Sequence, residues 1–256
     1  MLTLFDDVFS PYARKVRIAL YEKEIPFERV RALHGDCNRT DFVHVNPRAE
    51  VPALADGDFS LYDSTVICEY LEEIHPEPAL YPADARLRAK CRLVEDLADT
   101  QLDAALYAVT VLEFGRGETH GEMHEVAARD VARLYDELEG FLGQSSFFCG
   151  GYSVADIAVL PHVAVASFLG FGLEPSRHPR LLAWLGRVQE RPAVVRDNAD
   201  VLETLSRLQA EKRPAFDPYR VQWRSDRLEW VIKNGFADWF YAEMSAGRAF
   251  FPLSTR

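Results

Sequence analysis

Two short stretches near the N-terminus carry side chains able to handle a reactive sulfur and an anion. Ser10-Pro11 stands just before a helical pattern that begins near Ala13. A thiol attacks as its thiolate, and a free thiol ionises only near pH ~8.5, so a hydroxyl donor at a helix N-terminus helps ionise a bound one. The same hydroxyl also suits a plain helix cap, and residue type leaves both roles open. Asp63-Ser64 begins another helical pattern, where free N–H groups and the helix dipole favour an anion. Ser64 is also an ordinary cap for that helix.

Other combinations carry less. His120 and His124 are four apart, but Gly121-Glu122-Met123 between them makes no zinc-protease motif, so solvated histidines are expected. Cys37, Cys68, Cys91 and Cys149 show no CxxC or zinc-like spacing, and no metal is expected. Cys68 falls within a helical stripe and reads as buried packing. Gly115-Arg116-Gly117 follows no strand and reads as a loop. Tyr107, Leu112 and Phe114 suit either an apolar pocket or core packing.

The elements that must position these residues change character along the chain. Leu2 to Phe5 is a short apolar run. Helix spacing follows, with Val16, Ala19 and Leu20 on one face and Arg14, Lys15, Arg17 and Glu22 on the other. Phe27 to Leu33 reads as a strand, and Val51–Leu54 and Phe59–Leu61 as two more around Asp56-Gly57. Val66, Ile67, Tyr70, Leu71 and Ile74 then form a helical stripe ended by His75-Pro76. The order β-α-β, β-β-α fits one small α/β domain over residues 1–78. Beyond a proline-bearing linker, residues 86–210 are all-helical in pattern: Arg86 to Phe114, Met123 to Leu142, a helix opened by Ser153, Pro179 to Gln189, and Pro192 to Leu208. Asp156 can return a hydrogen bond to the Ser153 backbone, as in a capping box. Residues 211–256 form a third region. From Pro214 onward it holds ten of the 30 aromatics, with two helices expected at Asp226–Lys233 and Ala237–Ala246.

Phe9-Ser10-Pro11-Tyr12-Ala13-Arg14-Lys15-Val16-Arg17, Asn46-Pro47-Arg48-Ala49-Glu50-Val51-Pro52-Ala53-Leu54, Asp63-Ser64-Thr65-Val66-Ile67 and Ser153-x-x-Asp156 together resemble the cytosolic glutathione transferases, over residues 1 to 205. The resemblance implies an α/β plus all-α architecture: a thioredoxin-like domain followed by an all-helical domain, assembled as a homodimer. It implies a serine-type enzyme in which Ser10, within Ser10-Pro11-Tyr12, activates glutathione as cosubstrate. Val51, before a cis Pro52, would pair with the backbone of glutathione's cysteinyl residue as a strand would. Ser64 would take the γ-glutamyl carboxylate and Asp63 its ammonium group. Relatives usually have Glu at the first of these positions, and Asp is one methylene shorter. Arg39 is the candidate for the glycine carboxylate, with Arg14 and His44 as alternatives. The segment from Trp223 to Gly235 is similar to the tail of FtsZ-binding glutathione-transferase-like proteins, which act as scaffolds.

Composition excludes several classes. With 29 Lys and Arg against 40 acidic residues, the net charge is -11, unsuited to a nucleic-acid surface or a broad anionic membrane contact. No run approaches the ~20 apolar residues of a membrane span. The acidic MLTLFDDVFS lacks the basic start of a secretory signal, so a cytoplasmic protein with free thiols is expected. The dominant expectation is a transferase adding the glutathione thiolate to an apolar electrophile. The rival is a scaffold that binds a protein partner through its tail. For the tail itself, wrapping back on the helical region is the default, since ten exposed aromatics would promote aggregation.

Overall fold

The computed structural model describes residues 1–32, 39–213, 215–216 and 221–251, with the backbone alone for 39–41 and 250. Strand β1 (Leu2–Asp6) buries alternate residues. It pairs in parallel with β2 (Phe27–Arg31) and antiparallel with β3 (Ala53–Asp56), and β3 pairs antiparallel with β4 (Phe59–Tyr62). The sheet order is β2-β1-β3-β4. Strand β3 starts one residue after Pro52 and two after the expected Val51, because proline has no N–H to give a ladder. A two-residue turn with Gly57 at φ 62 joins β3 to β4. Helices α1 (Pro11–Glu22) and α3 (Ser64–Ile74) share the large core, while Phe42 of α2 (Arg39–Val45) stacks on Phe5 at 5.7 Å in a second, smaller one.

The helical region begins with α4 (Ala85–Asp96), continues through a π-helical turn (Leu97–Leu102) into α5 (Asp103–Val109), and closes with a second π-helical turn (Thr110–Arg116). The expected Gly115–Gly117 loop is therefore mostly helix, stopped by Gly117 in the left-handed region at φ 68. Helices α6 (Gly121–Leu142), α7 (Val154–Phe168), α8 (Pro179–Gln189) and α9 (Pro192–Glu211) complete it. Asp156 caps α7 from within, accepting from the Ser153 amide at 2.9 Å, the Phe148 amide at 3.2 Å and Trp184 Nε1 at 2.8 Å.

One face of α1 departs from its periodicity. Arg14, Lys15 and Arg17 are buried, 0–5% exposed, although they were expected to face water. Helix α1 is sandwiched between the sheet and the helical region, and carboxylates meet its polar face. Arg17 pairs with Asp6 at 2.8 Å and with Asp197 of α9 at 2.6 Å, and Arg14 pairs with Asp197 at 2.7 Å. Lys15 pairs with Glu95 at 2.8 Å and with Asp99. A buried charge is tolerated only with such partners. Arginine and lysine therefore mark the domain junction, while periodicity alone assigns them to solvent.

The tail wraps back, as expected. Helices α10 (Ser225–Lys233) and α11 (Ala237–Ser245) bury Trp230, Phe236 and Phe240, and Trp223 just ahead of them is 1% exposed. Burying each such ring contributes about 1.5–3 kcal/mol. Polar anchors add direction: Trp230 Nε1 donates to Asp130 at 2.7 Å, and the Tyr107 hydroxyl donates to the Gln222 carbonyl at 2.8 Å. Strands β5 (Val221–Gln222) and β6 (Ala249–Phe250) pair in parallel, an element too short and too non-local for sequence pattern to show.

Candidate functional site

A cleft of about 1680 Å³ lies between the sheet domain and the helical region, and the tail contributes part of its wall. Ser10 is the N-cap of α1. Its Oγ accepts from the Ala13 amide at 3.3 Å, which leaves the hydroxyl hydrogen to donate into the cleft. The capping and the sulfur-facing roles are thus compatible in one side chain.

The loop before β3 is held by Asn46, whose side chain donates to the Glu50 carbonyl at 2.6 Å and accepts from the Arg48 amide at 2.9 Å. The Val51-Pro52 bond is cis, and both residues line the cleft. Among the described residues the N–H and carbonyl of Val51 have no partner, so a ligand backbone can pair there as an added strand.

At the start of α3 the capping roles are reversed relative to expectation. Asp63, at φ 80, is the cap: its Oδ1 accepts from the Thr65 amide at 3.0 Å and the Val66 amide at 3.3 Å. Ser64 is instead the first helical residue, and no acceptor or donor among the described residues meets its amide or hydroxyl. An anion placed there gains both donors and the helix dipole. The second oxygen of Asp63 is left for a cation.

Tyr12, Arg14, Arg39 and His44 fare differently. The Tyr12 ring lines the cleft, but its hydroxyl donates to the Asp99 carbonyl at 2.6 Å. Burial, with Asp103 nearby, pushes that phenol well above its ordinary pKa, so it stays protonated and committed. Arg14 also lines the cleft, with its Nε on Asp197 and Nη2 on Asn198, both at 2.7 Å, so its charge is directed at α9. His44 is exposed on α2 and is not among the cleft residues. The Arg39 side chain lies outside the described residues. The cleft does hold Arg48, 5.3 Å over the Tyr62 ring; its place in the Asn46–Leu54 motif was visible, its charge toward the cleft was not.

Below Ser64 lies a buried polar floor that the sequence did not suggest. Lys15 donates to Glu95 at 2.8 Å and to Thr65 Oγ1 at 3.2 Å, and Thr65 Oγ1 donates to Glu95 at 2.9 Å. Burial works against the Lys15 charge, but Asp99 and Glu95 outweigh it and raise its pKa. Burial raises Asp99 less than Lys15 and His162 lower it, so this carboxylate is held ionised. The π-helical turn displaces Asp99 so that its side chain meets Lys15 while its carbonyl meets Tyr12.

The opposite wall is apolar. The Phe114 ring lies 5.0 Å from Phe168, 6.1 Å from Phe216 and 6.5 Å from Phe9. Tyr107 and Phe114 line the cleft, whereas Leu112 is core. His120 caps α6 by accepting from Met123, and the His124 side chain, 36% exposed, has Nδ1 2.7 Å from Glu113. Among the described residues no cluster suits a metal ion. Cys68 is buried, and that burial pushes its thiol up, away from reactivity. Among the described residues no helix is long and apolar enough to cross a membrane.

A thioredoxin-like sheet domain, an all-helical domain and a cleft between them define a two-domain architecture, and similarity to known proteins agrees. Residues 4–79 match the glutathione S-transferase N-terminal domain and residues 123–187 the C-terminal domain, together more than half the chain. A stringent starvation protein A homolog of Haemophilus ducreyi is 40% identical over 195 residues, 75% of this chain and 86% of its own length. The probable glutathione S-transferase GSTU6 of Oryza sativa subsp. japonica is 33% identical over 227 residues, 79% and 93% of the two chains. The crystal structure of a glutathione S-transferase from Rhodospirillum rubrum F11 superposes with a TM-score of 0.67 at 27% identity, covering 76% of this chain and 90% of that one. The chain belongs to the glutathione S-transferase family.

Proposed function

We propose that the protein is a serine-type glutathione transferase that adds the glutathione thiolate to an apolar electrophile. The observation that carries this reading is one cleft joining two unlike walls: Ser10, Val51, Asp63 and Ser64 on the sheet domain, and the Phe114 aromatic cluster on the helical region. In this reading the γ-glutamyl carboxylate takes the Ser64 amide and hydroxyl, its ammonium takes the free oxygen of Asp63, and the cysteinyl backbone pairs with Val51. The sulfur then lies at the N-terminus of α1. There the Ser10 hydroxyl and the dipole favour the thiolate, which attacks the electrophilic carbon as the leaving group departs with its bonding pair. Arg48, which lines the cleft, joins Arg39 as a basic candidate for the glycine carboxylate.

The test is calorimetric titration with reduced glutathione, followed by conjugation of 1-chloro-2,4-dinitrobenzene. Ser64→Ala weakens binding roughly tenfold, as expected for loss of a hydrogen bond to a charged group. Ser10→Ala binds glutathione but loses about 10²–10³ in turnover, the loss of one positioned donor. No binding at millimolar glutathione by the folded protein sinks the reading.

Two statements about partners accompany it. A homodimer through α3 and α4 is supported by exposed Val66 and Leu93, and light scattering checks it. The rival scaffold reading, with a protein partner of the FtsZ type on the tail, is supported by exposed Ile232, Tyr241 and Met244 on α10 and α11. Substituting Tyr241 with Ala should abolish FtsZ co-sedimentation in that case and leave conjugation unchanged.

A further inference from the structure

We infer that Arg224 makes the cleft selective for electrophiles that carry a carboxylate, held at the tail end of the cleft while their apolar body lies on the Phe114 wall. The inference rests on the glutathione-transferase reading and adds a substrate class to it.

The tail enters the cleft between β5 and α10, and Arg224 is the cap residue there. Its guanidinium lies 4.7 Å over the Tyr12 ring. Only Nη2 is engaged, donating to the Asp99 carbonyl at 3.2 Å and to Asp226 at 3.0 Å. The three N–H hydrogens on Nε and Nη1 meet no acceptor among the described residues, and the side chain is 27% exposed at the cleft.

The acids around it are mostly committed. Asp103 is held by Arg227 at 2.7 and 3.2 Å, and Arg227 in turn stacks 3.5 Å over Tyr107. The Asp99 carboxylate serves Lys15. Glu50 lines the same cleft, where burial raises its pKa while Arg224 and Arg227 pull it back down. Asp226 remains, itself partly exposed. A second feature is independent of the guanidinium: the indole N–H of Trp223, buried in the cleft wall, also lacks an acceptor. The unused donors of Arg224 thus share one cleft with the aromatic wall, a combination that a neutral apolar substrate would leave idle and an aromatic carboxylate would use.

Preformed glutathione conjugates test this without catalysis. The probes are S-(4-carboxy-2-nitrophenyl)glutathione and its 4-carbamoyl counterpart, titrated calorimetrically into wild type, Arg224→Gln and Arg224→Lys. Wild type should bind the carboxylate form roughly tenfold or more tightly than the amide. Arg224→Gln should erase that ratio and leave the amide unchanged, and Arg224→Lys should keep part of it. Equal binding of the two conjugates by wild type overturns the inference alone and needs no variant. An equal loss for both conjugates in a folded Arg224→Gln makes Arg224 purely structural and also overturns it. Failure of wild type to bind either conjugate removes the glutathione reading and the inference with it.

Discussion

Asp197→Asn probes the contact on which the cleft's geometry depends. Asp197, on α9, is fully buried, and its two oxygens receive Arg14 Nε and Arg17 Nε, each at 2.7 Å. Arg17 keeps a second carboxylate, Asp6, at 2.8 Å. Arg14, only 5% exposed, keeps just the neutral Asn198 oxygen at 2.7 Å. Removing the charge therefore strands one arginine and weakens a second. Breaking a buried pair costs about 3–5 kcal/mol. Because asparagine still accepts one bond and Asp6 remains, the lower end, about 3 kcal/mol, is expected. At about 2–4 °C per kcal/mol for a chain of this size, Tm should fall by roughly 6–12 °C. Urea unfolding, followed by far-ultraviolet circular dichroism and tryptophan fluorescence together, measures the loss. Asp200→Asn is the control: its ion pair with Arg29 is 30% exposed on both sides, and under about 1 kcal/mol is expected. A loss at Asp197 no larger than at Asp200 would refute the idea that α1 is clamped electrostatically.

Other consequences are as direct. Burial pushes the Asp156 pKa up to about 6, above the ~3.9 of an unfolded chain. The native state therefore holds this proton more tightly, and the group's stabilising contribution, full below pH ~4, is lost as pH rises through about 6. The stability margin of wild type over Asp156→Asn should narrow by roughly 1 kcal/mol between pH 5 and pH 7, and a widening margin would contradict the sign. Trp230→Phe removes the donor to Asp130 while keeping the ring in the core, so about 1–2 kcal/mol should be lost in urea unfolding. Asp63→Ala takes away the α3 cap and, on the proposed reading, the ammonium partner. About 1 kcal/mol of stability and a weaker glutathione Kd are expected from calorimetry, and an unchanged Kd would remove Asp63 from the site.

Local signals were the readable ones. Helix α8 follows its sequence limits, Pro179 to Gln189, because a proline at its first position and an amphipathic stripe fix it within one segment. The candidates Ser10, Val51, Pro52, Asp63 and Ser64, all of which line the cleft, could be picked out for the same reason, since each sits at the end of an element. The cap at α3 was misassigned because Asp and Ser are both good caps, and the φ of 80 at Asp63 is a backbone state that residue type does not announce. Arg14, Lys15 and Arg17 misled because a buried ion pair has the same hydropathy as a solvated face. Arg224 gave no sign of itself, since its neighbours Tyr12 and Asp99 are 212 and 125 positions away.

The two walls of the cleft also differ in when they exist. Ser10 through Ser64 are made early, while Arg224 follows Ser64 by 160 positions. At about 5–20 residues per second that gap is on the order of ten to thirty seconds of synthesis. On the proposed reading, a nascent chain paused between them carries the glutathione side of the site but not yet Arg224, the residue inferred to select electrophiles. Completion of the tail is then the step that would add selectivity to that half-site.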